Sequence, residues 1–181
     1  MCKFYSAIVM KNGDLLHNEN LLSHEDLIRL FNINDSQVNC EKFVRVEFTP
    51  EDSKDFPDIE KYVLRVDEDA TPKWFEKHRE YVTSRLKEFV SKRIITSDQK
   101  ILTGGLYVVT DCVIDKVIEA NIIYLSGTVT DNYGTVTDNS GTVTDNYGTV
   151  TRNYGTVTRN SGTVTRNYGT VTRNYGTVTD N

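Results

Sequence analysis

Ser126-Gly127-Thr128-Val129-Thr130-Asp131-Asn132 runs without a gap into Tyr133-Gly134-Thr135-Val136-Thr137-Asp138-Asn139, and the unit (S/Y)-G-T-V-T-(D/R)-N is written eight times up to Asn181. Self-similarity at a fixed short period marks a stack in which each unit buries its apolar side only against its neighbours. Thr-Val-Thr alternates with period two in β-branched residues. Val129, Val136, Val143, Val150, Val157, Val164, Val171 and Val178 are thereby sent to one side and the threonines to the other. The remaining four residues read as a corner, where Gly tolerates positive φ and Asn both tolerates it and bonds nearby backbone. Asn132, Asn139, Asn146 and their successors are expected to stack as a ladder.

A three-residue strand and a four-residue corner make half of a flattened coil, so two heptads form the simplest closed turn. Four such turns, at the usual strand spacing, predict a rod about 19 Å long. A triangular coil of three heptads is the alternative. The expected fold is an α+β head over residues 1–125, capping a C-terminal β-solenoid, or β-roll, over residues 126–181.

The heptads resemble those of the grass ice-binding β-roll, and the fourteen-residue turn is similar to that in the head of trimeric autotransporter adhesins. The resemblance covers period and residue type in 126–181. It implies architecture alone, because the grass repeat sets Asn two positions before Val whereas Asn132 follows Val129 by three.

The 181 residues, 38% hydrophobic and 26% charged, suit one globular domain plus this rod. No apolar run is long enough for a membrane span, and Met1-Cys2-Lys3-Phe4 opens no signal region, so a cytoplasmic protein is expected. Cys2, Cys40 and Cys112 are odd in number and far apart, which argues against a disulfide framework and a zinc site. The heptads hold four Asp and four Arg, so the whole net charge of −5 falls on the first 125 residues. A mildly acidic head disfavours direct nucleic-acid binding.

Within the head, residues 4–10 read as a buried strand, and Asn12-Gly13 signals a hairpin returning through Leu15-Leu16-His17. Ser23 is placed to cap a helix with Leu27, Ile28, Leu30 and Phe31 on its buried side. Residues 43–48 and 62–67 alternate as strands. Thr71-Pro72 opens the longest helix, about residues 72–93, with a core stripe of Phe75, His78, Val82, Leu86, Phe89 and Val90. Residues 101–125 turn β again and meet the first heptad without a linker.

Phe4-Tyr5-Ser6-Ala7-Ile8-Val9, Lys11-Asn12-Gly13-Asp14, Phe43-Val44-Arg45-Val46-Glu47-Phe48-Thr49-Pro50, Leu64-Arg65-Val66-Asp67 and Trp74-Phe75, followed by the heptads, resemble uncharacterised phage and phage-like metagenomic proteins. The resemblance spans the chain and implies a viral product acting in the cytoplasm of a bacterial host. It assigns no site residue.

Catalytic signals are absent. Thr103-Gly104-Gly105 lacks the other glycines and the Lys of a phosphate loop, and no nucleophile elbow, His-Glu-x-x-His or Cys-x-x-Cys occurs. No catalytic residue, metal or cofactor is therefore expected, and the chain reads as a binding or assembly protein. Its candidate interface residues are Asp131, Asp145, Tyr154, Arg159, Tyr168, Arg173 and Val178.

With fourteen residues per turn, one face carries Ser126/Asp131, Ser140/Asp145, Tyr154/Arg159 and Tyr168/Arg173. Its acidic and basic halves match an antiparallel second copy. A charge alternation that only avoids like-charge ladders within one rod is the competing reading. Val178 belongs to the last heptad, where exposed strand edges are expected to dock. Two other functions stay open: inhibition of a host nucleic-acid-targeting defence, anti-CRISPR-like or as a partial nucleic-acid mimic, with a host defence protein as partner, and ice binding through the Thr-x-Thr rows.

Overall fold

The computed structural model describes residues 4–35 and 42–180, and the chain divides into two compact units, Met1–Lys92 and Arg93–Asn181. Cys2, Cys40 and Asn181 lie outside the described residues.

Among the described residues the first unit holds an antiparallel sheet and two α-helices. Its strands β1 (Ser6–Met10), β2 (Leu15–Leu16), β3 (Phe43–Thr49) and β4 (Val63–Val66) lie in the order β2-β1-β3-β4. The expected hairpin is present. Gly13 sits at φ 97°, the left-handed region its lack of Cβ permits, and the Met10 N–H donates to Asp14 O at 2.9 Å. Helix α1 (His24–Leu30) starts where the Ser23 hydroxyl accepts from the Asp26 N–H at 3.2 Å. Here the expected buried side is only half right. Leu27 is buried and Ile28 packs beside it, but Leu30 and Phe31 are exposed. In a helix of under two turns, the i, i+3, i+4 set His24, Leu27 and Ile28 supplies the inner face. Helix α2 (Glu76–Ser91) follows a 3₁₀ turn at Lys73–Phe75, and buries Val82, Leu86 and Val90 at the predicted spacing.

The second unit is a parallel β-solenoid of about six turns. One stack holds β6 (Gln99–Thr103), the first half of β8 (Val113–Leu125), the first half of β9 (Thr128–Asn139), β10 (Thr142–Asn146), β12 (Thr156–Asn160) and β14 (Thr170–Asn174). The other holds β5 (Ile94–Ile95), β7 (Leu106–Val109), the second halves of β8 and β9, β11 (Thr149–Asn153), β13 (Thr163–Asn167) and β15 (Thr177–Val178). Val129 pairs in register with Val143 and Val136 with Val150, so two heptads make one turn.

The stack begins upstream of the heptads, and the unit boundary at Lys92/Arg93 replaces the expected one at 125/126. Residues 93–125 hide this because the inner pairs Ile114/Val117 and Ile122/Leu125 occupy the positions of Val129/Asn132 and Val136/Asn139. Burial repeats there while residue identity does not. The register also slips from fifteen to fourteen residues at an irregularity between Ile118 and Asn121, where Glu119 takes φ 54°.

Two further expectations about the heptad are corrected. The strand runs through five residues, T-V-T-(D/R)-N, leaving a two-residue corner. Asn is inside: Asn132, Asn139, Asn153 and Asn160 are as buried as the valines. The heptad glycines keep negative φ, so close approach requires them instead. A Cβ on Gly148 would run into the carbonyl oxygen of Gly134, and one on Gly162 into that of Gly148.

The Asn ladder forms as expected. Asn132 Nδ2 donates to Asn146 Oδ1 at 2.8 Å, Asn146 to Asn160 at 2.7 Å and Asn160 to Asn174 at 2.8 Å. A second ladder joins Asn139, Asn153 and Asn167. The Nδ2 of Asn132, Asn139, Asn146, Asn153 and Asn160 reaches a Thr carbonyl as well, such as Thr149 O from Asn132 at 3.4 Å, so both amide protons of these groups are used. Such an amide left unpaired would cost roughly 1–3 kcal/mol.

Candidate interaction surface

The two-residue corners push every Tyr of the heptads outward. Tyr133 and Tyr147 stack at 4.8 Å with planes 9° apart, and on the opposite edge Tyr154 and Tyr168 stack at 5.2 Å and 14°. These rings are 48%, 49%, 56% and 65% exposed, and Tyr175 is 77% exposed. Stacking one turn above another fixes rings that would otherwise move freely, which lowers the entropy lost when a partner covers them.

Charge is ordered in columns beside them. Lys116, Asp131, Asp145, Arg159 and Arg173 are successive register partners in the first stack. Asp138, Arg152 and Arg166 form the matching column in the second stack. At the step from acid to base each column closes an ion pair: Arg159 with Asp145, and Arg152 with Asp138. The bond from Arg159 holds the Asp145 carboxyl below the usual aspartate range. Beside it the Tyr147 phenol is raised, chiefly by the Asp145 charge. Arg152 is raised mainly by its bond to Asp138, with Tyr154 contributing. Asp131, Arg166 and Arg173 form no ion pair among the described residues.

The predicted interface residues are thus distributed. Asp131, Asp145, Arg159 and Arg173 share one column, as their spacing requires. Tyr154 and Tyr168 lead into the same strands from the far edge of that face, because each corner precedes its strand. Val178 lies elsewhere, paired with Val164 in the other stack and partly buried against the core. Sequence reasoning set Tyr133 and Tyr147 on the other face, whereas Tyr147 interacts electrostatically with Asp145 and Arg159 of the first column. It also missed Lys116, whose Nζ lies 5.3 Å from the centre of the Tyr133 ring. The signal was available in the Asp-Asn-Tyr order of these heptads.

No protein-family model, curated protein or solved structure matches the chain.

The first unit offers no comparable array. Among the described residues no group of three or more His, Cys, Asp or Glu side chains could hold a metal ion, and no helix is long and apolar enough to cross a membrane. His24 is buried, with Nε2 3.0 Å from Val46 O and Nδ1 3.3 Å from Asp67. His78 takes its place in the α2 stripe half-buried. Its Nε2, like Trp74 Nε1, is buried without a hydrogen-bond partner. In the second unit, Cys112 is a buried free thiol, raised above its ordinary range by burial.

Proposed function

We propose that this chain is a non-enzymatic binding and assembly protein whose solenoid makes the contact, with itself or with a second protein. The observation that carries the reading is the pair of exposed, pre-stacked tyrosine columns flanked by ordered charge. Tyrosine contributes much apolar area for two rotatable bonds, and such side chains dominate the energy of protein interfaces. The resemblance of the chain to phage proteins supports a setting in the cytoplasm of an infected bacterium, where a defence component is the alternative occupant. A nucleic-acid mimic fits less well, since Arg159 and Arg173 interrupt the acidic column.

The repeat itself supplies the test. Ser stands at the corner in Ser126, Ser140 and Ser161, so Tyr133, Tyr147, Tyr154, Tyr168 and Tyr175 can be changed to Ser with the coil retained. We expect this variant to melt like the wild type and to lose both self-association and capture of partner proteins. Equal behaviour of the two proteins in sedimentation and capture would remove the reading.

Ice binding is the second reading, favoured by one observation. Thr128, Thr142, Thr156 and Thr170 form an in-register row, and Thr135, Thr149, Thr163 and Thr177 another on the opposite stack. Thermal hysteresis that survives the Tyr→Ser changes and disappears with Thr142→Asp would favour it over protein contact.

A further inference from the structure

We infer that the partner of the first stack is a second copy of this chain, bound antiparallel about a two-fold axis that runs along the strands between β10 and β12. The inference rests on the reading above and names the occupant of one face.

Three features across that face agree with one symmetry operation. In the charge column the order is Asp131, Asp145, Arg159, Arg173. Asp145 and Arg159 already pair within one rod, leaving Asp131 and Arg173 at the two ends without an ion pair among the described residues. A two-fold axis through the centre of the internal pair sets Asp131 of one copy against Arg173 of the other. It also joins the two internal pairs into a cluster of four alternating charges. At one edge the same operation sets Ser126 against Tyr168 and Ser140 against Tyr154, so each ring meets a small residue. At the other edge Tyr147 meets Ser161 and Tyr133 meets Tyr175. Charge complementarity, with volume complementarity at every edge position except Tyr133 against Tyr175, thus arises from one axis, the isologous geometry of a closed dimer.

The second stack lacks this property. Its column runs Asp138, Arg152, Arg166, and an axis between β11 and β13 would place Arg152 against Arg166 of the other copy. Like charges opposed in this way weaken association. The choice of face is therefore determined by the order of the D/R heptads.

Four rungs of five-residue strand span only about 19 by 17 Å, which puts the flat contact below the roughly 1,200 Å² of total buried area typical of stable complexes. The dimer is accordingly weak, held in register by charge and sensitive to salt.

The experiment is sedimentation velocity of the full chain at high micromolar concentration. The wild type should form a dimer at low salt, with a dissociation constant about tenfold higher at physiological salt. The double variants Arg159→Asp/Arg173→Asp and Asp131→Arg/Asp145→Arg should each be monomeric, and an equimolar mixture of the two should dimerise. Arg166→Asp, on the second stack, should leave the wild-type dimer intact. Circular dichroism of each variant checks the fold, and the wild-type salt dependence stands if a variant fails to fold. A wild type that stays monomeric at low salt, a dimer indifferent to salt, or a mixture no more associated than its components would each overturn the inference. Loss of protein capture by the Tyr→Ser chain alongside a monomeric wild type would retain the proposed function and reject this partner alone.

Discussion

Arg152 Nη2 donates to Asp138 Oδ2 at 2.6 Å, joining the fourth heptad to the second across one turn of the solenoid. Asp138 keeps only 11% of its side-chain exposure, so the pair is half withdrawn from water. Removing one partner strands the other. We expect Arg152→Ala to lower the melting temperature more than Arg166→Ala, because Arg166 forms no ion pair among the described residues. Thermal denaturation of the two variants side by side checks this, and equal melting would show the pair to be worth nothing net.

The equivalent pair on the first stack responds to pH. Arg159 depresses the Asp145 pKa, so its contribution is fully present above the ordinary aspartate value of about 3.9 and is lost as pH falls through the lowered folded value. At neutral pH the wild type should melt above Asp145→Asn. That gap should close on acidification below the ordinary aspartate range. A gap constant from neutral to strongly acidic pH would contradict the assignment.

Val150 is fully buried in a thin core between two sheets. Val150→Asp would place an unpaired charge there, at a cost of several kcal/mol. The half-buried neighbour Thr149 should tolerate Asp far better. Denaturant titration of both variants provides the comparison, and it fails if Val150→Asp leaves the midpoint unmoved.

Asn146 occupies the middle of a ladder, donating to Asn160 and accepting from Asn132. Asn146→Ala leaves polar atoms on both neighbours underpaired, a loss of roughly 1–3 kcal/mol for each unsatisfied group. Hydrogen exchange should accelerate at Tyr147 and Gly148, whose N–H groups donate to Asn132 O in the same corner. Unchanged protection there would mean that the ladder contributes little to the corner.

Gly148→Ala should be as damaging as a core substitution although it adds only one methyl group. Its Cβ meets a backbone carbonyl of the preceding turn, and backbone cannot step aside as a side chain can. Insoluble or molten protein is expected. A soluble variant with the wild-type melting temperature would show that the turns separate more easily than their spacing implies.

The heptads by themselves determined that the chain coils, that valine lies inside and that Asn stacks upon Asn, while the pairing of Val129 with Val143 and Val136 with Val150 decided for two heptads per turn over three. Each of the first three depends on residues at a fixed sequence interval, so a repeat displays it directly. The head strands, the Asn12-Gly13 hairpin and the Ser23 cap were legible for a related reason, since their signals are local. Tertiary structure alone decided where the solenoid starts. In residues 93–125 aliphatic side chains such as Val117 and Leu125 fill the places later taken by Asn132 and Asn139, and the register step changes by one residue. Burial is conserved along the stack while identity is not, and a repeat search detects only identity. The role of glycine was equally hidden. Positive φ and close approach demand the same residue, and only the placement of Gly134 against Gly148 distinguishes them. Which charges pair within the rod likewise followed from register: Asp145 meets Arg159 one turn on, and Asp138 meets Arg152.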